Sequence, residues 1–243
     1  MKSIVLAYHN IGCTGINALL KNGIEISAVF THNDAPEESI WFDSVAELAA
    51  EHNIPVFSPH DINHSIWAQK IRELKPDIIF SFYYRKMIKD TILNIPPMNC
   101  INLHGSLLPK YRGRCPINWM LINGETQGGV TLHYMTLKPD NGDIIMQEKY
   151  DIIKEDTAIS LHKKANQAAS KMLNKILPQI KNGTSKSIPQ DDSKASYYGG
   201  RNPQDGEINW DKSSSEIRII VRALTRPYPG AFSYIKEQKC FFC

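Results

Sequence analysis

Asn102 and His104 stand two residues apart in the stretch CINLHGSLLPKYRGRCP, residues 100–116. The stretch opens on a short apolar strand signal, Cys100-Ile101. Strand side chains alternate faces, so the amide and the imidazole share one side while Leu103 takes the other. Asp140, within Pro139-Asp140-Asn141-Gly142, adds a carboxylate after a later strand. Transfer of an acyl or formyl group to an amine asks for this set. An imidazole exchanges protons near neutral pH, so His104 can take the amine's proton directly or through water. The Asn102 amide and a protonated His104 can donate to a developing oxyanion. Asp140 beside the imidazole would orient it and favour its charged form. Each residue also has a plainer role. A strand histidine is commonly structural, and an aspartate before Asn-Gly is first of all a turn residue.

Lys110, Arg112 and Arg114 follow the strand in a basic loop. Three cations there suit a diphosphate or an anionic ligand tail, although a solvated basic loop would use the same residues. Tyr8, His9 and Asn10 close the first strand and are placed to line an acceptor cleft. Tyr83 is placed to stack on the acceptor. Trp67, on an apolar helix face, and His133, inside VTLHYM, read as structural.

The elements that must position these residues alternate. Residues 3–8 read as a parallel strand buried on both faces. Gly12 and Gly15 then open a helix over 16–21, capped by Asn22-Gly23. A strand over 25–31, an amphipathic helix over 39–52 and a short strand at 56–57 follow. A helix over 63–74 carries Ile66, Trp67, Ile71 and Leu74 on one face. The strand 77–83 precedes a short helix over 87–93. Beyond residue 116 come a proline-entered helix to 122, strands at 129–135 and 144–150, and a long helix over 157–180 with Asp156 as N-cap. Residues 184–209 lack periodicity and read as a connector. A helix over 213–224 and a hairpin over 232–243 end the chain. This pattern predicts an α/β fold with an open, mostly parallel Rossmann-like sheet and a short C-terminal helix and β-hairpin extension. The expected division is a catalytic domain over 1–183, the connector, and a truncated helix and hairpin over 210–243.

Composition sets outer limits. The 243 residues are 42% hydrophobic and 22% charged, with a formal net charge of +3. That is ordinary for a soluble globular protein and too weakly basic to imply nucleic acid. No apolar run nears the roughly 20 residues that span a bilayer. The apolar start, 3–7, is too short for a signal peptide, so a cytoplasmic location is expected. The five cysteines show no disulfide spacing, and the terminal Cys240-Phe-Phe-Cys243 has no second ligand pair for a metal. No metal is expected.

The segments INLHGSLLPKYRGRCPINW and GGVTLHYMTLKPDNGDII resemble the formyltetrahydrofolate-dependent formyltransferase family. So do AYHNIGCTGI, FTHNDAPEES, IIFSFYYRKMI and RPYPGAFSY, and together these cover nearly the whole chain. The likeness is strongest to the nucleotide-sugar branch, typified by the formyltransferase domain of the bifunctional polymyxin-resistance enzyme. The resemblance implies that His104 transfers the proton, Asn102 stabilises the transition state and Asp140 tunes His104. It implies N10-formyltetrahydrofolate as cosubstrate, held by Lys86, Met87 and Ile88, by Arg114, and by the loop Thr136, Leu137, Lys138, Pro139 and Asp140. Lys110 and Arg112 would then meet the sugar nucleotide.

The expected acceptor is the C4 amine of a nucleotide-linked 4-amino sugar destined for surface polysaccharide or lipopolysaccharide. Two candidates are a dTDP-4-amino-4,6-dideoxyglucose type and UDP-4-amino-4-deoxy-L-arabinose. The early stop at Cys243, which leaves no second enzyme domain, inclines the reading to the first. The methionyl-tRNA branch is disfavoured by the acidic loop at 33–38, which would repel a phosphate backbone. A non-catalytic nucleotide- or folate-binding regulator is the alternative from another class. A lone hairpin exposes pairing edges, so its copy in a homodimer is the expected partner.

Overall fold

The structure, a computed structural model, describes residues 1–34 and 39–242. Part of the acidic loop, residues 35–38, and Cys243 of the terminal CxxC lie outside the described residues. The chain begins β1 (Lys2–Ala7), α1 (His9–Lys21), β2 (Glu25–Phe30), α2 (Val45–Glu51) and β3 (Val56–Phe57). It continues α3 (Ser65–Leu74), β4 (Ile78–Phe82), α4 (Asp90–Leu93), β5 (Cys100–His104), β6 (Arg112–Gly113) and α5 (Pro116–Ile122). Then come β7 (Gln127–Tyr134), β8 (Ile144–Asp151), α6 (Ala158–Lys181), β9 (Tyr197–Tyr198), α7 (Ser214–Leu224), β10 (Ala231–Ile235) and β11 (Gln238–Phe242). Seven strands form one sheet in the order β3-β2-β1-β4-β5-β7-β8. The first five are parallel, whereas β7 runs antiparallel to β5 and β8 antiparallel to β7. β10 and β11 form the separate terminal hairpin. The expected α/β architecture is the observed one.

Alternation along the strands divides the core. Val5, Phe80, Phe82, Ile101 and Leu103 pack with α1 and α6, while Ile4, Leu6, Ile79 and Cys100 pack with α3 and α4. Asn102 and His104 follow Cys100 in the period-two register, so they crown this second face. Trp67 packs edge-on to Phe30 and tilted on Phe57, as a core residue should.

Several boundaries move for identifiable reasons. α1 begins at His9, not residue 16, because Gly12 and Gly15 are contact points inside it. A Cβ at Gly15 would lie 2.2 Å from the Phe82 ring, and one at Gly12 would lie 2.7 Å from Val45. α2 starts only after Ser44, whose side chain accepts from the Glu47 N–H, so residues 39–44 are not helical. α4 is shorter than expected because Asn63 holds the preceding backbone, donating to the Met87 carbonyl and accepting from the Lys89 N–H. Thr157, not Asp156, caps α6, in a reciprocal box with Ser160. Asp156 instead accepts from Ile153 N–H and pairs with Lys164. Ile66 is 62% exposed while Ile71 is buried.

Candidate active site

β5 brings Asn102 and His104 to one face, and the β5–β7 register sets His133 opposite Asn102. β7 runs antiparallel, so the loop after it leaves beside the start of β5, with Met135 N–H bonded to the Cys100 carbonyl. It folds back until Asp140 Oδ1 lies 3.5 Å from His104 Nδ1, 3.6 Å from His133 Nε2 and 3.5 Å from Asn102 Nδ2. Asp140 Oδ2 accepts from Gly113 N–H at 2.8 Å. The three residues named from the sequence are therefore together, with a second histidine among them.

Hydrogen bonds assign the tautomers. His104 Nε2 lies 2.7 Å from the Tyr111 carbonyl, so this nitrogen donates, leaving Nδ1 as the proton acceptor beside Asp140. His133 Nδ1 donates to the Tyr134 carbonyl at 2.8 Å, and its Nε2 accepts from Asn102 Nδ2 at 3.1 Å. Burial alone would push the Asp140 carboxyl up. The positive charge that His104 and His133 carry when protonated, together with the Gly113 N–H, outweighs it and holds the carboxyl well below the usual carboxylate range. Asp140 is thus a fixed negative charge facing two imidazoles.

The supposed connector clamps this arrangement. β6 pairs with β9, Tyr111 N–H donates to Ser196 Oγ, and Arg114 N–H donates to the Tyr198 carbonyl. Gln190 Nε2 donates to the carbonyls of Asp140 and Gly142, while its Oε1 accepts from Arg112. Arg112 is only 1% exposed and also reaches Asp192 and Tyr197. Its guanidinium is committed to the scaffold, which corrects the expectation that it meets the sugar nucleotide. Sequence reasoning missed His133, Gln190 and Ser196.

The remaining candidates fall into two regions. Lys86 Nζ donates to the carbonyls of Pro59 and His60, Met87 is 53% exposed, and Ile88 is buried. Ile88 and Met135 belong to the same apolar cluster, so the loops after β4 and β7 approach each other. Thr136, Leu137, Lys138 and Pro139 are exposed on the second loop, and Arg114 and Lys110 are exposed on the loop after β5. On the other side, Tyr8 donates to Asp34 Oδ1 and Asn10 Oδ1 accepts from Asp43 N–H. Both hold the segment after β2 against α1. His9 and Tyr83 are near one another, with ring centres 6.3 Å apart. A Cβ at Gly105 would lie 2.3 Å from Tyr83 Oη, so Tyr83 borders the residue after His104.

A fixed carboxylate, a tautomer-locked imidazole and an aligned amide form a proton-transfer and oxyanion-binding set. The formyl transferase family model matches residues 1–177, and the model of the formyl transferase C-terminal domain matches residues 201–243. The chain belongs to the formyl transferase family. This formyltransferase superposes on WlaRD, a sugar 3N-formyl transferase solved with dTDP and 5-N-formyl-THF. The TM-score is 0.78 and the identity 25%, over 98% of this chain and 84% of WlaRD. An N-formyltransferase from Helicobacter canadensis, in complex with folinic acid and dTDP-3-aminofucose, matches at TM-score 0.79 and 26% identity. That match covers 98% of this chain and 85% of the other. A 4-N formyltransferase from Francisella tularensis shares the fold at TM-score 0.79 and 21% identity, over 99% and 96% of the two chains. Among the described residues of this formyltransferase, no helix is long and apolar enough to cross a membrane.

Proposed function

We propose that this enzyme moves the formyl group of N10-formyltetrahydrofolate to the C4 amine of a nucleotide-linked amino sugar in the cytoplasm, for surface polysaccharide synthesis. The observation that carries the reading is the convergence of Asn102, His104 and Asp140 on one face of β5. A non-catalytic binding protein would have no use for that geometry. The residues fit the folate. Exposed apolar side chains, Met87 and Leu137, sit on the two loops that flank the catalytic face, and Arg114 offers an exposed guanidinium for carboxylates.

N10-formyltetrahydrofolate, when bound, supplies a formyl carbon whose oxygen gains negative charge as the amine adds. His104 Nδ1 takes the amine's proton, its Nε2–H held by the Tyr111 carbonyl. The imidazolium so formed is stabilised by Asp140. It would return the proton to the folate nitrogen as its bond to the formyl carbon breaks, leaving tetrahydrofolate and the formylated amine. One Asn102 N–H is spent on His133. The other reaches Asp140 only at 3.5 Å, the edge of hydrogen-bonding distance, and is available to the formyl oxygen.

The nucleotide rests on two kinds of support. WlaRD, a sugar 3N-formyl transferase, and the Helicobacter canadensis enzyme were solved with dTDP and dTDP-3-aminofucose, respectively. This favours a dTDP-linked acceptor over a UDP-linked one and leaves the C4 position resting on the family resemblance. The stretch INLHGSLLPKYRGRCPINW favours UDP-4-amino-4-deoxy-L-arabinose. Incubation with formyl donor and a panel of UDP- and dTDP-linked 3- and 4-amino sugars, read by mass gain, separates these readings. Formylation of a 3-amino sugar alone would reject the C4 assignment, and formylation of none would reject the reading. The exposed hairpin residues Tyr234, Ile235 and Phe241 suit pairing with a second copy. A monomer in analytical ultracentrifugation at micromolar concentration would exclude that dimer.

A further inference from the structure

Beside the catalytic strand lies a cluster of buried polar groups that the folded chain leaves without partners. His9 Nδ1, Tyr83 Oη, Tyr150 Oη and His162 Nδ1 are all buried and make no hydrogen bond. Unpaired buried polar atoms are rare in native proteins, and four in one neighbourhood call for an explanation. The neighbourhood is compact. The His9 and His162 rings are 5.1 Å apart, and His9 is 7% exposed. Tyr83 is close enough to Tyr150 and Tyr228 that, after burial, their phenols also push its hydroxyl up.

We infer that His9, Tyr83, Tyr150 and His162 form the subsite for the acceptor's pyranose, their four unpartnered polar atoms reading the sugar's hydroxyl groups beneath a cover of Trp41 and Phe42. The inference rests on the proposed sugar-nucleotide reading and extends it to two residues, Tyr150 and His162, that the sequence did not single out. Its position suits the reaction, since Tyr83 abuts Gly105, the residue after His104. The chemistry suits a hydroxyl. Burial drops His9 to about 4 and His162 to about 3, with Arg85 adding to the first and His9 to the second. Near neutral pH both rings are uncharged, each with one donor and one acceptor. A hydroxyl group, which gives and takes a hydrogen bond, matches such a ring better than a phosphate does. Tyr228 Oη lies 2.9 Å from His162 Nε2, which fixes the ring and leaves Nδ1 for the ligand.

The cover is aromatic and lies outside regular structure. The Trp41 ring is 4.6 Å from His9 and 5.1 Å from His162, and Phe42 is 4.3 Å from His9. Residues 39–42 form neither helix nor strand and precede the anchor that Asp43 N–H makes to Asn10 Oδ1, so moving Trp41 and Phe42 aside breaks no ladder of backbone hydrogen bonds. The apolar face of a pyranose is the natural replacement for their contact.

The test is calorimetric titration of the full chain with dTDP-4-amino-4,6-dideoxyglucose, UDP-4-amino-4-deoxy-L-arabinose, and free dTDP and UDP. Wild type should bind one sugar nucleotide at least about tenfold more tightly than its free diphosphate, as several new hydrogen bonds would give. Tyr150→Phe and His162→Phe should each lose about fivefold of that gain, with the free diphosphate bound as before. Because the Tyr150 hydroxyl has no partner, Tyr150→Phe should melt no lower than wild type. Variants that bind the sugar nucleotide like wild type would overturn the subsite, as would a wild type that gains nothing from the sugar. A lower melting point for Tyr150→Phe would also overturn it, by showing a structural hydroxyl. Sugar-dependent binding without formyl transfer would support the subsite and reject the reaction, so the two failures are distinct.

Discussion

Asn102 and His133 face each other across the β5–β7 pairing, with the amide nitrogen 3.1 Å from an imidazole nitrogen whose tautomer the Tyr134 carbonyl fixes. His133 therefore aims the Asn102 amide. His133→Phe should lower kcat by about tenfold, with KM for both substrates little changed, as expected when only transition-state alignment is lost. His133→Gln, which keeps an acceptor, should recover part of the loss. An unchanged kcat in His133→Phe would remove this positioning role.

Asp140 carries a pH signature. Its carboxyl is held below the ordinary carboxylate value, so the stability it contributes is complete above about pH 4 and is lost as pH falls further. Asp140→Asn should be less stable than wild type at pH 7, and the gap should narrow as the pH drops below about 4. Its kcat should fall by at least about tenfold. Urea titrations of both proteins across pH 3–7 give the comparison, and a constant gap would contradict the assignment.

Arg112 supports the fold through Gln190, Asp192 and Tyr197. Arg112→Met should destabilise the protein by about 1–2 kcal/mol, because its charged hydrogen bonds are lost and the part-buried Gln190 carbonyl is left without its donor. The stability loss should appear in urea unfolding. A fully stable variant with a raised acceptor KM would return Arg112 to the ligand.

The contrast between Arg112 and His133 shows what the chain's text could and could not carry. The strands around Phe80 and Ile101 were legible because short apolar runs survive burial on both faces. Asn102 and His104 were legible as neighbours because alternation is local. Asp140 joined them as the carboxylate that the chemistry asks for, a reading the resemblance strengthened, since nothing local says that its loop doubles back over β5. His133 read as structural because its importance lies in a register with Asn102, 31 residues away. Arg112 read as a ligand contact because its partners come 78 to 85 residues later, inside a segment without periodicity. Local pattern reports local structure, whereas these pairings are set by tertiary packing.

Glycines misled in the same way at α1. Gly15 was read as a helix opener, yet it sits inside the helix because the Phe82 ring leaves no space for a side chain. Gly15→Ala should cost about 1–3 kcal/mol despite alanine's better helix propensity, since overpacking against a fully buried ring outweighs it. Equal or greater stability in thermal unfolding would show that Phe82 has room to move.

The most direct test of the account is single-turnover formyl transfer from N10-formyltetrahydrofolate to the acceptor identified by the panel, comparing wild type with His104→Ala and Asn102→Ala. The account predicts losses of roughly two or more orders of magnitude in each variant, with unfolding midpoints close to wild type. Turnover near the wild-type rate in either folded variant would contradict it.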